Sequence, residues 1–164
     1  MNAVDEDLRE VVMTATRALV GIAARSLAEV AADVSLAQFR VLLLLDGSSR
    51  TMGELSESLT VHPSTVTRTC DLLVGKGLIR RQAAADNRRI VCAELTRRGR
   101  RLVAQAMDRR RELIDETLER MPPAARRRVA RSLAEFASAA GEVSDHAWTL
   151  GWSLGNTETS DGPG

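Results

Sequence analysis

The side chains best equipped for chemistry cluster between His62 and Arg89, and they suit recognition better than bond making. Ser64, Thr65, Thr67 and Arg68 fall on one side of a segment whose other side carries Val66, Thr69, Cys70 and Leu73. The second set recurs at i, i+3, i+4 and i+7, the spacing of a helix face that packs inward. The first set then points outward with three hydroxyls and a guanidinium. Arginine can bond guanine bidentately, and serine and threonine can bond phosphates or base edges, so this face suits the major groove of duplex DNA. It is also compatible with an ordinary solvated surface of small polar residues.

The same segment begins His62-Pro63. Proline is tolerated in a helix's first turn, where its missing N–H would be unpaired anyway, and the free amides of that turn favour an anion such as phosphate. His62 precedes the proline at the expected cap, where it can contact phosphate when protonated or stand as a loop histidine. Further on, Arg88 and Arg89 sit near the tip of an expected hairpin with Asp86 beside them. A narrow minor groove concentrates negative potential, so an arginine on a protruding loop can enter it. Asp86 can orient one guanidinium through a charge-assisted bond. An exposed charged turn fits the same residues.

Other chemistries lack their residues. There is no glycine-rich phosphate loop, nucleophile–base motif or paired carboxylate setting, so no enzymatic activity is expected. Two histidines and two cysteines spread over separate elements do not make a metal site, and no cofactor is expected. Cys70 and Cys92 have no CxxC spacing. With no signal peptide visible, the expectation is reduced thiols, a cytoplasmic location and no membrane span.

The elements that must position these residues follow from periodicity. Residues 5 to 32 read as one long helix with Leu8, Val11, Val12, Ala15, Leu19, Ile22, Ala23, Leu27 and Val30 at three- and four-residue intervals. Ser35 and Gln38 make a capping box for a second helix carrying Phe39, Leu42, Leu43 and Leu45. Thr51 and Glu54 make another for a short helix with Met52, Leu55 and Leu59 on one face. Thr60-Val61-His62 is a tight connection, and the helix from Pro63 runs to Lys76, where Gly77 supplies the stop. Segments 78–82 and 89–95 read as a β-hairpin. Thr96 caps another long helix bearing Leu102, Val103, Ala106, Leu113, Ile114 and Leu118. Met121-Pro122-Pro123 breaks that helix, and a last one carries Val129, Leu133, Phe136, Ala137 and Ala140.

The expected fold class is therefore mainly α with a small β-hairpin wing: a winged helix-turn-helix plus a helical dimerisation region. Residues 35–96 would form the reading head, 1–34 and 97–148 the dimerisation region, and 151–164 a disordered tail. Charge supports this division. Residues 1–50 hold five arginines against seven acids, residues 51–101 hold ten Arg/Lys against five acids, and residues 102–164 hold eight arginines against ten acids. The positive excess thus sits in the middle third, the character of a phosphate-facing surface.

At this point the sequence resembles the MarR family of winged-helix regulators. The resemblance runs through Leu36-Ala-Gln-Phe-Arg-Val-Leu-Leu-Leu-Leu45, His62-Pro-Ser-Thr-Val-Thr-Arg68, Gly77-Leu-Ile79, Asp86-Asn-Arg-Arg89 and Leu95-Thr-Arg-Arg-Gly99. It implies a homodimer in which the first helix and the last two helices of each chain intertwine. Each Pro63–Lys76 helix would then enter a major groove of a palindromic operator on double-stranded DNA. By the same resemblance Ser64, Thr65, Thr67 and Arg68 match recognition-helix contacts, and Arg88 and Arg89 match the wing arginines. It implies a transcriptional regulator, with repression favoured because a dimer astride a promoter blocks polymerase. A small-molecule effector would be held near Met13, Arg17 and Phe39, although Met13 and Phe39 also fit as core residues. The chain departs from the family at Leu72 and Val74, where polar residues are usual, at Asn87, where an acid is common, and at His62, where Ser or Asp is usual. It also lacks the first-helix cysteine of peroxide-sensing relatives. The alternative is a winged helix that binds protein rather than DNA.

Overall fold

The computed structural model describes residues 5–83 and 90–141. Two compact units are distinguished, one through Glu116 and one from Thr117. In chain order the elements are α1 (Glu6–Val30), α2 (Leu36–Leu44), β1 (Arg50–Thr51), α3 (Met52–Leu59), α4 (Pro63–Gly75), β2 (Ile79–Ala83), β3 (Val91–Leu95), α5 (Arg97–Glu119) and α6 (Pro123–Ala139). Helix α3, its turn and α4, followed by the β2–β3 hairpin, make a winged helix-turn-helix.

Local side chains set the helix starts. Both capping boxes form: Ser35 accepts from the Gln38 amide while the Gln38 side chain accepts from the Ser35 amide, and Thr51 and Glu54 do the same. Each satisfies two otherwise free amides. Thr96 caps α5, accepting from the Gly99 amide at 3.1 Å while its hydroxyl donates to the Gly77 carbonyl at 2.7 Å. A cap residue thereby also ties α5 to the end of α4.

The wing is wider than a hairpin. A two-residue strand, β1, pairs antiparallel with β3, giving the order β1-β3-β2 with Arg50 opposite Ala93 and Ile79 opposite Leu95. Arg50 is buried (8% exposed), and its Nε donates to the Leu44 carbonyl at 2.7 Å. This satisfies a carbonyl at the C-terminal end of α2 that would otherwise lack a partner. Burial lowers the pKa of its guanidinium, against the opposing influence of Glu54.

The core lies beneath the reading head. Phe39, Val41, Leu42, Leu45, Leu55, Val66, Leu73, Leu78, Ile79 and Leu95 are all buried, and Leu102, Val103, Ala106 and Leu113 extend that core along α5. Gly99 is required by this packing: a Cβ there would stand 2.1 Å from the Leu78 carbonyl oxygen.

Helix α1 differs. Leu8, Val11, Met13, Leu19 and Val20 are exposed, and burial is confined to Ile22, Ser26 and Leu27. With 25 residues and a mean hydropathy of 1.3 over its most apolar stretch, α1 is long and apolar enough to cross a membrane by length and composition alone. Inspection of uninterrupted apolar runs misses this, because Arg17 and Arg25 divide the helix without making it polar on average. In the second unit, α6 has no buried residue, and Leu133 and Phe136 are exposed.

Candidate nucleic-acid interface

Helix α4 is fixed from inside. Val66, Cys70 and Leu73 are buried at 1%, 0% and 0% exposure, so the helix cannot rotate without uncovering them. Its outer stripe is thereby set: Ser64, Thr65, Thr67 and Arg68 are all exposed. Cys70 serves as packing. Burial raises its thiol pKa, with Arg81 opposing and Asp71 reinforcing, so the thiolate that redox chemistry needs is disfavoured.

The α4 start is more specific than its sequence suggests. His62 is the N-cap, and its Nδ1 accepts from the Ser64 amide at 3.3 Å and lies 2.8 Å from Ser64 Oγ. In the tautomer whose Nδ1 accepts from that amide, Nε2–H is the ring's donor. The hydroxyls are also committed. Thr67 Oγ1 donates to the Pro63 carbonyl at 3.0 Å and Thr69 Oγ1 to the Thr65 carbonyl at 2.9 Å. With its proton committed to that carbonyl, the Thr67 oxygen remains an acceptor, which suits a base amino group better than a phosphate.

The turn before α4 is held by a Schellman-type closure. The Val61 amide donates to the Ser56 carbonyl at 3.2 Å, and Ser56 Oγ returns a bond to the Val61 carbonyl at 2.6 Å. Thr60 takes a left-handed conformation there, φ 54°, which a β-branched residue adopts at a cost.

Two participants escape a sequence reading. Arg81 on β2 pairs with Asp71 on α4 at 2.7 Å, and Arg80 pairs with Glu94 on β3. Arg68, by contrast, forms no hydrogen bond or ion pair among the described residues, and its guanidinium stays available to a partner. The wing residues Asp86, Arg88 and Arg89 lie outside the described residues.

The three residues expected around an effector are not brought together within one chain. Phe39 is buried (2% exposed) with Arg110 stacked over its ring at 5.5 Å, and the Arg110 Nε reaches Ser26 Oγ at 3.5 Å. Phe39 thus lies near the level of Ser26, whereas Met13 is thirteen residues earlier on α1, about 20 Å along the helix. Met13 and Arg17 are exposed, and Arg17 donates to Thr14 Oγ1 at 3.0 Å. A cleft of about 370 Å³ lies elsewhere, bounded by Val30, Asp33, Lys76, Arg98, Arg101 and Gln105. Within it Lys76 pairs with Asp33 at 3.1 Å, and that bond holds the Asp33 carboxyl below its ordinary pKa. Among the described residues, no three His, Cys, Asp or Glu side chains are grouped to hold a metal.

A capped helix with an outward polar stripe, followed by a sheet-backed hairpin, defines a winged-helix protein of the nucleic-acid-binding type in shape. Residues 32–90 match the MarR family model. The chain is similar to RV1404 of Mycobacterium tuberculosis, whose crystal structure shares 37% identity over 87% of this chain and 99% of that one, at a TM-score of 0.78. It is 33% identical over 75 residues to the HTH-type transcriptional regulator YhbI of Bacillus subtilis, a match covering 45% of this chain and 49% of YhbI, about half its length. It shares its fold with a MarR variant from E. coli crystallised with operator DNA, at 22% identity, a TM-score of 0.62 and coverage of 80% and 94%. The chain belongs to the MarR family.

Proposed function

We propose that this MarR-family chain is a DNA-binding transcriptional regulator that reads a palindromic operator as a homodimer. The observation that carries the reading is the outer stripe of α4. Arg68 is unpaired among the described residues, His62 is poised as a donor at the helix start, and Ser64, Thr65 and Thr67 surround them on a helix locked from beneath. Arg68 would read guanine in the major groove, the hydroxyls would contact base edges or backbone, and His62 would bond a phosphate at the helix N-terminus. Arg88 and Arg89 would serve as minor-groove and phosphate contacts of the wing. The relatives named above support this: YhbI is named as a transcriptional regulator, and the E. coli protein is complexed with operator DNA.

The exposed apolar residues of α1 support the homodimer. Leu8, Val11 and Leu19 share one side of α1 and are 48–65% exposed, an apolar face suited to a partner. A second copy would cover it in preference to a bilayer, since Arg9, Glu10, Arg17 and Arg25 share the same helix. Two heads held about one helical turn of DNA apart would address two half-sites. Repression follows from occupation of a promoter. Release by a small anion would act through the cleft at Asp33 and Lys76, where an incoming carboxylate competes for the ammonium.

Site selection on random duplexes, followed by fluorescence anisotropy over a salt series, tests the proposal. An inverted repeat and a steep fall of affinity with salt are expected. Arg68→Ala should lower affinity for the selected site by about tenfold or more while sparing a scrambled duplex, which corresponds to the loss of a bidentate base contact of roughly 1–3 kcal/mol. A protein that selects no sequence at low salt would instead act through protein contacts.

A further inference from the structure

Adjacent arginines on β2 do different work. Successive side chains of a strand point to opposite faces. Arg80 pairs with Glu94, which also accepts from Gln82 Nε2 at 2.7 Å, so that side closes the hairpin on itself. Arg81 reaches across to α4: Nη1 lies 2.7 Å from Asp71 Oδ1 and Nη2 donates to the Thr67 carbonyl at 3.3 Å. One planar fork thus grips a helix at two points a single turn apart, a geometry a lysine cannot reproduce.

Asp71 makes this grip consequential. It lies three residues after Arg68 and seven after Ser64, on the same outward stripe. An unscreened carboxylate there would face the phosphates that the stripe is proposed to meet. The ion pair is a surface one, with the Arg81 side chain 33% and the Asp71 side chain 58% exposed. Such pairs add little to folding stability. What the contact does supply is a fixed relation between α4 and the strand that leads toward Arg88 and Arg89, together with neutralisation of the one acid on the stripe between Ser64 and Gly75.

We infer that Arg81 is a positioning residue for DNA reading, coupling the wing strand to α4 through Asp71 and Thr67 so that operator preference depends on it more than overall affinity does. This rests on the DNA-binding reading above. The test uses the full chain, a selected operator duplex and a scrambled duplex of equal length, titrated by anisotropy at several salt concentrations. Asp71→Asn should leave binding to the scrambled duplex equal or tighter, yet lower the operator-to-scrambled ratio about tenfold, as expected for residues in direct contact. Arg81→Gln should lower that ratio similarly and weaken both duplexes, because Asp71 is then unscreened. The double variant should lose no more preference than either single one. Arg81→Lys should keep scrambled binding and still lose part of the ratio.

Additive losses in the double variant would overturn the inference. So would an Arg81→Gln protein that weakens on both duplexes equally with a salt slope shallower by about one, the mark of a simple phosphate contact. Full preference in Arg81→Lys would overturn the role of the fork. A wild-type chain without preference for any duplex would remove the DNA reading itself, an outcome distinct from these.

Discussion

The reading head and helix α1 use their apolar residues in opposite ways. In the head, Leu42, Leu55, Val66, Leu73 and Ile79 are buried, and the caps on α2, α3, α4 and α5 are made by residues of the same chain. In α1, Leu8, Val11, Met13, Leu19 and Val20 stand in the open. A helix of that composition gains most of its stability from packing rather than from intrinsic propensity, so exposure on this scale marks an unfinished surface. The head closes its core within one chain, although Leu72 and Val74 on α4 stay exposed at 51% and 40%. The long helix requires something else to cover it, and a second copy is the occupant proposed.

Substitutions in the two regions should act differently. The largest effect is expected in the head. Gly99→Ala would push a methyl into the Leu78 carbonyl, displacing the start of α5 from the hairpin. A loss of about 3 kcal/mol is expected in urea unfolding, at the upper end for overpacking, and independent of protein concentration apart from the shared dimer term. A loss below about 1 kcal/mol would show that this junction yields easily.

A charge on α1 should act differently. Val11→Glu or Leu19→Glu removes no buried contact within one chain, yet should raise the dimer dissociation constant by at least tenfold in sedimentation equilibrium. The far-ultraviolet spectrum of the head should survive. If both variants sediment like the wild type, the apolar face of α1 is not the covered surface.

The smallest effect concerns the turn between α3 and α4. Thr60 holds φ 54°, a conformation costing a non-glycine residue roughly 1–2 kcal/mol. Thr60→Gly should therefore stabilise the head by roughly 0.5–1 kcal/mol once the extra freedom of glycine in the unfolded chain is subtracted. Thermal unfolding would register this as a rise in Tm. A fall would mean that the Thr60 side chain contributes more than its backbone costs.

Much of the head is legible in the sequence because its determinants are local. The capping boxes at Ser35 and Thr51, Pro63 in the first turn of α4, Gly77 beyond its end and the inward face Val66–Cys70–Leu73 all depend on neighbours within a few residues. What escapes is non-local. Strand β1 is two residues long and is disguised by Thr51 serving as a cap. Arg50, which reads as one more surface cation, is buried against the end of α2. The Arg81–Asp71 contact depends on how the hairpin lies across α4, which no spacing reveals. Gly99 sits within a segment that resembles the family, but its reason, the approach of α5 to Leu78, requires the packed structure. Within one chain Phe39 lies near the level of Ser26, several turns along α1 from Met13 and Arg17, a separation that residue type does not reveal.

On the proposed reading, α4 reads base sequence through Arg68 from a two-headed assembly. The most direct measurement compares wild-type and Arg68→Ala chains on one selected inverted repeat, on a single half-site and on a scrambled duplex. The wild type should bind the full repeat far more tightly than the half-site, as two linked heads require, and Arg68→Ala should lose most of its preference over the scrambled duplex. Equal wild-type affinity for all three duplexes, or an unchanged preference in Arg68→Ala, would contradict it.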